Sequence, residues 1–368
     1  MSARVRIPAQ LLRDSVAAAR AAELRYVSLD EPGITRRARN GSFIYTTPRG
    51  LPLRDARQLR RIAALGIPPA WQNVWICSSE NGHIQATGFD ARSRKQYRYH
   101  PRWRKVRDEA KYHDILYFAE ALPRLRKALA RDLADTSLSK QKVLATVVAI
   151  MEQTRIRVGN DRYAETNKSY GLTTLLDQHA KISGQHVEFR FRGKGGKPYR
   201  AAIRDRKLAN IVKRCRDVPG QRLFQYIDDQ GEARPISSTD VNEYIQTAMG
   251  QAFTAKNFRT WAGTVGAALV LHRFDPSRSV AHGKRVLKQA IELVAQQLGN
   301  TQAICRKCYV HPAVVDAYVN GELHDHMPEC MTLAKRKRCK WLRVEECAVL
   351  ALFERLARDG RVPERIAA

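Results

Sequence analysis

Acidic residues are scarce in this chain: 36 Asp and Glu stand against 65 Lys and Arg, for a formal net charge of +29. A field of that sign calls for a polyanionic partner, and nucleic acid is the commonest one. Long apolar runs are missing too. No window approaches the roughly 20 apolar residues of a membrane span, and Met1 to Gln10 lack the apolar core of a signal peptide. The expectation is a cytoplasmic, nucleoid-associated protein with no membrane contact. Neither a P-loop nor a clustered acidic metal motif occurs, so no cofactor and no metal are expected. The seven cysteines are odd in number and form no small-domain framework, which suits a reducing compartment better than a disulfide scaffold. Lysine is absent before Lys95, so arginine alone supplies the cations of the first quarter. There is no internal repeat.

What is present suffices for two domains, since 368 residues with 44% hydrophobic content can build ordinary cores in both. Residues 10–24 read as an amphipathic helix. Short β-type runs follow at Phe43–Thr46, Val74–Cys77, His83–Thr87 and Gln96–Tyr99, with Gly and Asn between them and a helical pattern from Leu53 to Leu65. From about Glu109 the period turns helical, through Ile115–Leu133 and Lys140–Arg157. A boundary near 101–112 follows, with domains at 1–106 and 107–368. Val187–Phe191 and Tyr199–Ile203, joined by a glycine-rich turn, read as a hairpin. Helices are expected at Asp240–Met249, Thr254–Leu271, Ser279–Leu298, around Tyr309–Val319 and at Val344–Ala357. The fold class is therefore α+β, a small β-rich amino-terminal domain followed by a larger, mainly helical one containing a small antiparallel sheet.

One ordered series carries chemistry: Arg157, Lys194, Arg259, Asn300 and Tyr309. Cleaving a phosphodiester with a tyrosine needs a phenol aimed at phosphorus, cations to hold the pentacoordinate charge and an acid for the leaving oxygen. Arginine suits phosphoryl oxygens because its planar fork donates two hydrogen bonds and stays charged. Lysine can also give up a proton when a neighbouring cation lowers its pKa. Arg157, in Arg157-Val158-Gly159-Asn160, is expected to end a helical run. Lys194 sits between glycines at the hairpin tip, where a backbone can approach a phosphate closely. Lys256 and Arg259 lie one helical turn apart, so a shared face and a shared phosphate are expected. Tyr309 is placed on a helix begun near Asn300, whose amide can donate to a non-bridging oxygen.

With these motifs the chain resembles the type IB DNA topoisomerases, in the small poxvirus-like form found in bacteria. Arg157 in R-V-G-N, Lys194 in the hairpin, Arg259 in K-N-F-R-T and Tyr309 nine residues after Asn300 match the catalytic order of that family. Lys256 looks like its accessory general acid. The family more often has histidine where this chain has Asn300, although bacterial members commonly use asparagine. The resemblance also reaches Arg94–Tyr99, which looks like a DNA-contacting strand in which Gln96, Tyr97 and Tyr99 meet base edges and backbone. Tyr163 matches a further DNA-contacting tyrosine. In all it covers about residues 25–320. It implies a C-shaped clamp of the two domains on double-stranded DNA, acting as a monomer. The implied reaction is relaxation of supercoils through a transient 3′-phosphotyrosyl link, without ATP or metal.

Some signals lie outside that scheme. Cys305, Cys308, Cys330 and Cys339 raise a structural zinc, although the second pair is widely spaced and Tyr309 directly follows Cys308. The basic run Ala334–Lys340 reads either as a phosphate-tracking segment or as a solvated linker. A tyrosine recombinase shares the Arg/Lys/Arg/Tyr chemistry. A strand-rich first third and the absence of a histidine just before Arg259 favour the topoisomerase. A basic DNA-binding protein without catalysis is the other alternative.

Overall fold

The computed structural model describes residues 14–277, 279–337 and 339–359. Its contacts divide the chain into two compact units, Met1–Asp114 and Ile115–Ala368.

In the first unit α1 (Ser15–Ala21) is capped by Asp14, whose side chain accepts from the Val16 N–H. It covers part of the helix expected over 10–24, of which residues 10–13 lie outside the described residues. Then come β1 (Ile34–Arg39), β2 (Ser42–Thr46), α2 (Ala56–Ala64), β3 (Gln72–Ile76), β4 (Ile84–Phe89) and β5 (Lys95–Tyr99). They form one antiparallel sheet of five strands in the order β2-β1-β3-β4-β5. Its buried face is Ile34, Val74, Ile76 and Ala86, closed by Ile62 of α2. Burial of one such isoleucine stabilises by about 1.5–3 kcal/mol. Strand β1 has no apolar alternation to announce it, because its second inward position is Arg36. That buried guanidinium is satisfied by the carbonyls of Ile67, Pro68 and Trp71 at 3.2, 2.9 and 2.9 Å.

Helix α3 (Pro101–Leu133) starts well before the apolar periodicity at Ile115 does. In the second unit follow α4 (Lys140–Thr154), α5 (Asp161–Asn167), β6 (Ala180–Ser183), β7 (His186–Arg192), β8 (Pro198–Arg204) and α6 (Arg206–Arg216). After β9 (Gln225–Ile227) and β10 (Ala233–Pro235) the chain is helical: α7 (Ser238–Met249), α8 (Ala255–Arg273), α9 (Val280–Gln297), α10 (Gln302–Tyr309), α11 (Pro312–Val319), α12 (Glu322–Lys337) and α13 (Val344–Arg358). Strands β6, β7 and β8 make a three-stranded antiparallel sheet, so the expected hairpin gains a third strand. Helix α4 is buried along almost its whole length from Lys142 to Met151. The segment around Tyr309–Val319 divides into α10 and α11, broken before Pro312, whose ring suits the first turn of the second helix. Lys335, Arg336 and Lys337 are the last turn of α12, where cations complement the helix dipole, so this part of the basic run is not a linker.

Candidate catalytic site

Arg157 is delivered by a helix end. Helix α4 stops at Thr154 because Arg155 takes a left-handed conformation with φ 62°. Arg157 therefore stands in extended chain beyond the helix, not at its end as the sequence suggested. The segment is pinned from the side: Leu172 N–H donates to Arg157 O at 2.9 Å and Thr173 N–H to Val158 O at 2.7 Å. Only glycine fits this crossing. A Cβ on Gly171 would lie 2.6 Å from Arg157 O, and Gly159 has φ +117°. So held, Arg157 Nη2 donates to Asn300 Oδ1 at 2.6 Å. Burial lowers its pKa, as does the charge of Arg259, while the Tyr309 phenol acts in the opposite sense.

Arg259 comes from the first turns of α8 and is only 4% exposed. Its Nη2 donates to Leu298 O at 2.5 Å and its Nη1 to Arg155 O, which ties it to the end of α9 and to the turn after α4. The guanidinium carbon lies 5.1 Å from the centre of the Tyr309 ring. Asn300 is fixed by the way α9 ends. Gly299 (φ +58°) donates to Gln296 O at 3.1 Å and Asn300 to Ala295 O at 2.9 Å, a Schellman pattern. Asn300 thus lies outside α10, which Thr301 caps. Two donors in this site, Arg259 Nε and Asn300 Nδ2, are buried and have no acceptor among the described residues.

Tyr309 is the last residue of α10 and half-buried. Its backbone rests on α8: a Cβ on Gly263 would lie 2.5 Å from Tyr309 O. Thr264 Oγ1 donates to the same oxygen at 3.4 Å and accepts from His311 N–H at 3.2 Å. One helix therefore carries Arg259 and seats Tyr309. Sequence reasoning passed over Gly263 and Thr264, although a glycine inside a helical run is itself a sign of close approach. It also missed Tyr199, whose hydroxyl donates to Thr154 O at 3.1 Å and whose ring lies under Gly299. Burial pushes that phenol up, against the pull of Arg259, Arg157 and Arg155. No pattern around Tyr199 marks it out beforehand.

The structure thus brings Arg157, Arg259, Asn300 and Tyr309 together. Lys194 is exposed at the tip of the β7–β8 hairpin, in a turn where Gly195 and Gly196 have φ of +75° and +77°. Lys256 is exposed on the first turn of α8, whereas Arg259 three residues on is buried, so they do not share an environment. Among the described residues neither lysine hydrogen-bonds to the four.

Tyr97 and Tyr99 share one face of β5 with their rings stacked at 5.8 Å, and strand alternation puts Gln96 on the other. The Gln96 amide donates to Asp90 Oδ2 at 2.9 Å. Tyr163 lies in the second unit on α5 and is 49% exposed. The four cysteines raised for zinc do not converge: among the described residues no group of three or more His, Cys, Asp or Glu could hold a metal ion. Cys339 and Cys347 are free thiols whose side chains interact by a hydrogen bond, and burial pushes the Cys305 thiol up to about 11. Among the described residues no helix is long and apolar enough to cross a membrane.

Comparison with known proteins gives a consistent answer. A family model described as the catalytic core of eukaryotic DNA topoisomerase I matches residues 100–332, and one described as the N-terminal domain of bacterial DNA topoisomerase IB matches residues 42–90. DNA topoisomerase 1B of Acanthamoeba polyphaga mimivirus is 33% identical over 296 residues, which cover 78% of this chain and 88% of that protein. DNA topoisomerase I of monkeypox virus is 20% identical over 233 residues, covering 62% of this chain and 70% of the relative. DNA topoisomerase 1B of vaccinia virus (strain Copenhagen) is 19% identical with the same coverage.

Proposed function

The chain belongs to the type IB DNA topoisomerases, and we propose that it relaxes supercoiled duplex DNA by cutting and resealing one strand through Tyr309. The observation that carries this reading is the pair of buried donors without acceptors, Arg259 Nε and Asn300 Nδ2, beside the Tyr309 ring and the Arg157 guanidinium. Buried donors without acceptors are costly, and two neighbouring guanidinium groups repel. A phosphodiester placed there satisfies the donors and offsets the repulsion. Both effects grow as charge builds on the phosphoryl oxygens in the transition state.

In the cleavage step the Tyr309 oxygen forms a bond to phosphorus and the bond from phosphorus to the 5′ oxygen breaks. The phenol proton is lost to solvent or a nearby base, and the 5′ oxygen takes up a proton as it leaves. Arg157 and Arg259 neutralise the non-bridging oxygens, and Asn300 orients the phosphate. Lys194, assisted by Lys256, supplies the proton to the 5′ oxygen. Because both lysines are exposed at the ends of their elements, this step requires bound DNA to engage the hairpin tip. The phosphotyrosyl bond keeps the energy of the phosphodiester, so religation by reversal needs neither ATP nor metal.

The sheet-bearing amino-terminal part, read as domain 1–106, binds DNA through Gln96, Tyr97 and Tyr99. Tyr163 contributes from the catalytic part, read as domain 107–368, and the enzyme acts as a monomer. Glutamine reads an adenine edge once it exchanges its Asp90 partner for a base, while phenols hold phosphates. The test is relaxation of supercoiled plasmid in excess EDTA without ATP: relaxed topoisomers are expected, and a strict requirement for a divalent metal or for ATP would contradict the mechanism.

A further inference from the structure

Helix α13 lies beyond residue 332, where the match to the topoisomerase catalytic core ends. It carries Glu346, a carboxylate only 6% exposed, into the centre of the second unit. Three groups meet there. The Trp261 indole N–H donates to Glu346 Oε1 at 3.2 Å. Arg126 donates to both carboxylate oxygens, at 2.7 and 2.8 Å. The Arg343 N–H donates to Oε2 at 2.8 Å.

Each line from this carboxylate leads toward the candidate site. Trp261 follows Arg259 by two residues on α8, the helix that also seats Tyr309 through Gly263 and Thr264. Arg126 also grips Glu152 and donates to Trp341 O at 2.6 Å. Glu152 stands on the last turn of α4, three residues before Arg155, whose carbonyl holds Arg259. We propose that Glu346 is a positioning residue for DNA cleavage. By holding Trp261 and Arg126 on one buried carboxylate, it sets the placement of Arg259 and of the Tyr309 seat. The final helix is then part of the catalytic machinery and not merely a cap on the core.

This inference rests on the proposed role of Tyr309. Its test is the rate of covalent protein–DNA adduct formation in a single turnover, with protein saturating over duplex DNA. The proteins compared are wild type, Tyr309→Phe, Trp261→Phe, Glu346→Gln and the double variant Trp261→Phe/Glu346→Gln, and the dissociation constant for DNA is measured for each. Trp261→Phe removes the indole donor but also the part of the buried ring that carries it, whereas Glu346→Gln keeps the shape and removes the charge, so the two singles share only the loss of this contact. Both single variants are expected to form adduct ~10–100-fold more slowly with unchanged DNA affinity, the scale of a small misplacement of reacting groups. The double variant is expected to be no slower than the slower single one.

Wild-type rates in Trp261→Phe would overturn the proposal, as would single effects that multiply in the double variant. A slowing matched by an equal loss of DNA affinity would also overturn it. If Glu346→Gln does not fold, Trp261→Phe decides alone. A wild-type protein that formed no adduct would instead contradict the reading of Tyr309, and this inference would fall with it.

Discussion

Asn300 accepts a hydrogen bond from Arg157 across 2.6 Å and keeps its own amide nitrogen buried beside it without an acceptor among the described residues. One face of the amide orients a cation and the other is free for an anion. Asn300→Ala is expected to lower single-turnover cleavage ~10²-fold, the usual scale for losing a preorganised donor. Asn300→Asp should be slower still, because it puts a negative charge where the phosphate binds. Rapid-quench assays on a short duplex check both, and an Asp variant faster than the Ala variant would contradict the assignment.

Gly263→Ala is a second test. In an ordinary helix interior this change stabilises by about 1 kcal/mol. Here the new Cβ would lie 2.5 Å from the backbone oxygen of Tyr309, so α10 must move. Cleavage is expected to fall ~10²-fold, the penalty of a displaced reacting group, while DNA affinity stays the same. Wild-type cleavage would mean that Gly263 does not set the position of Tyr309.

Lys194→Ala separates proton donation from charge stabilisation. The variant should cleave ordinary DNA ~10²–10⁴-fold more slowly, as expected when a general acid is removed. It should recover on DNA whose 5′ leaving oxygen is replaced by sulfur, which departs without a proton. Arg259→Ala, at least ~10²-fold slower, should not recover on that substrate. Equal recovery by both, or by neither, would remove Lys194 from the role of acid.

The acid limb of stability tests the cluster around Glu346. Burial alone would raise its pKa, but hydrogen bonding and charge from Arg126 outweigh that and hold it below the usual 4.5. A carboxyl whose folded pKa is depressed contributes stability above its unfolded pKa and loses it as pH falls through the folded one. Urea unfolding from pH 7 down to pH 3 should therefore show a shallower fall for Glu346→Gln than for wild type, confined to pH below about 4.5. Parallel curves would contradict the pairing.

Much of this molecule is legible in the sequence because its cues are local. Gly-flanked β-runs mark β2 to β5, the hairpin turn marks Lys194, and apolar spacing marks α4, α8 and α9. What stayed hidden depends on tertiary contacts. Strand β1 buries an arginine whose partners are carbonyls 31 to 35 residues away. Helix α12 contains Pro328 and a polar first half, and its burial against α13 is what stabilises it. Arg157 reads as the end of a helix because the apolar spacing that begins after Lys140 runs on through Ile156, whereas the helix closes at Arg155, whose positive φ no spacing rule announces. The residue types of the site were readable, but Tyr199 and Glu346 were not, because only the fold gives them neighbours.

The central claim is that Tyr309 is the nucleophile. Supercoiled plasmid is incubated with wild type or Tyr309→Phe in excess EDTA without ATP, and denaturant-trapped protein–DNA adduct is measured alongside relaxation. Wild type is expected to relax the plasmid and yield an adduct on the 3′ side of the break, and Tyr309→Phe to do neither while still binding DNA. Relaxation by Tyr309→Phe at the wild-type rate, or an adduct on another residue, would contradict it.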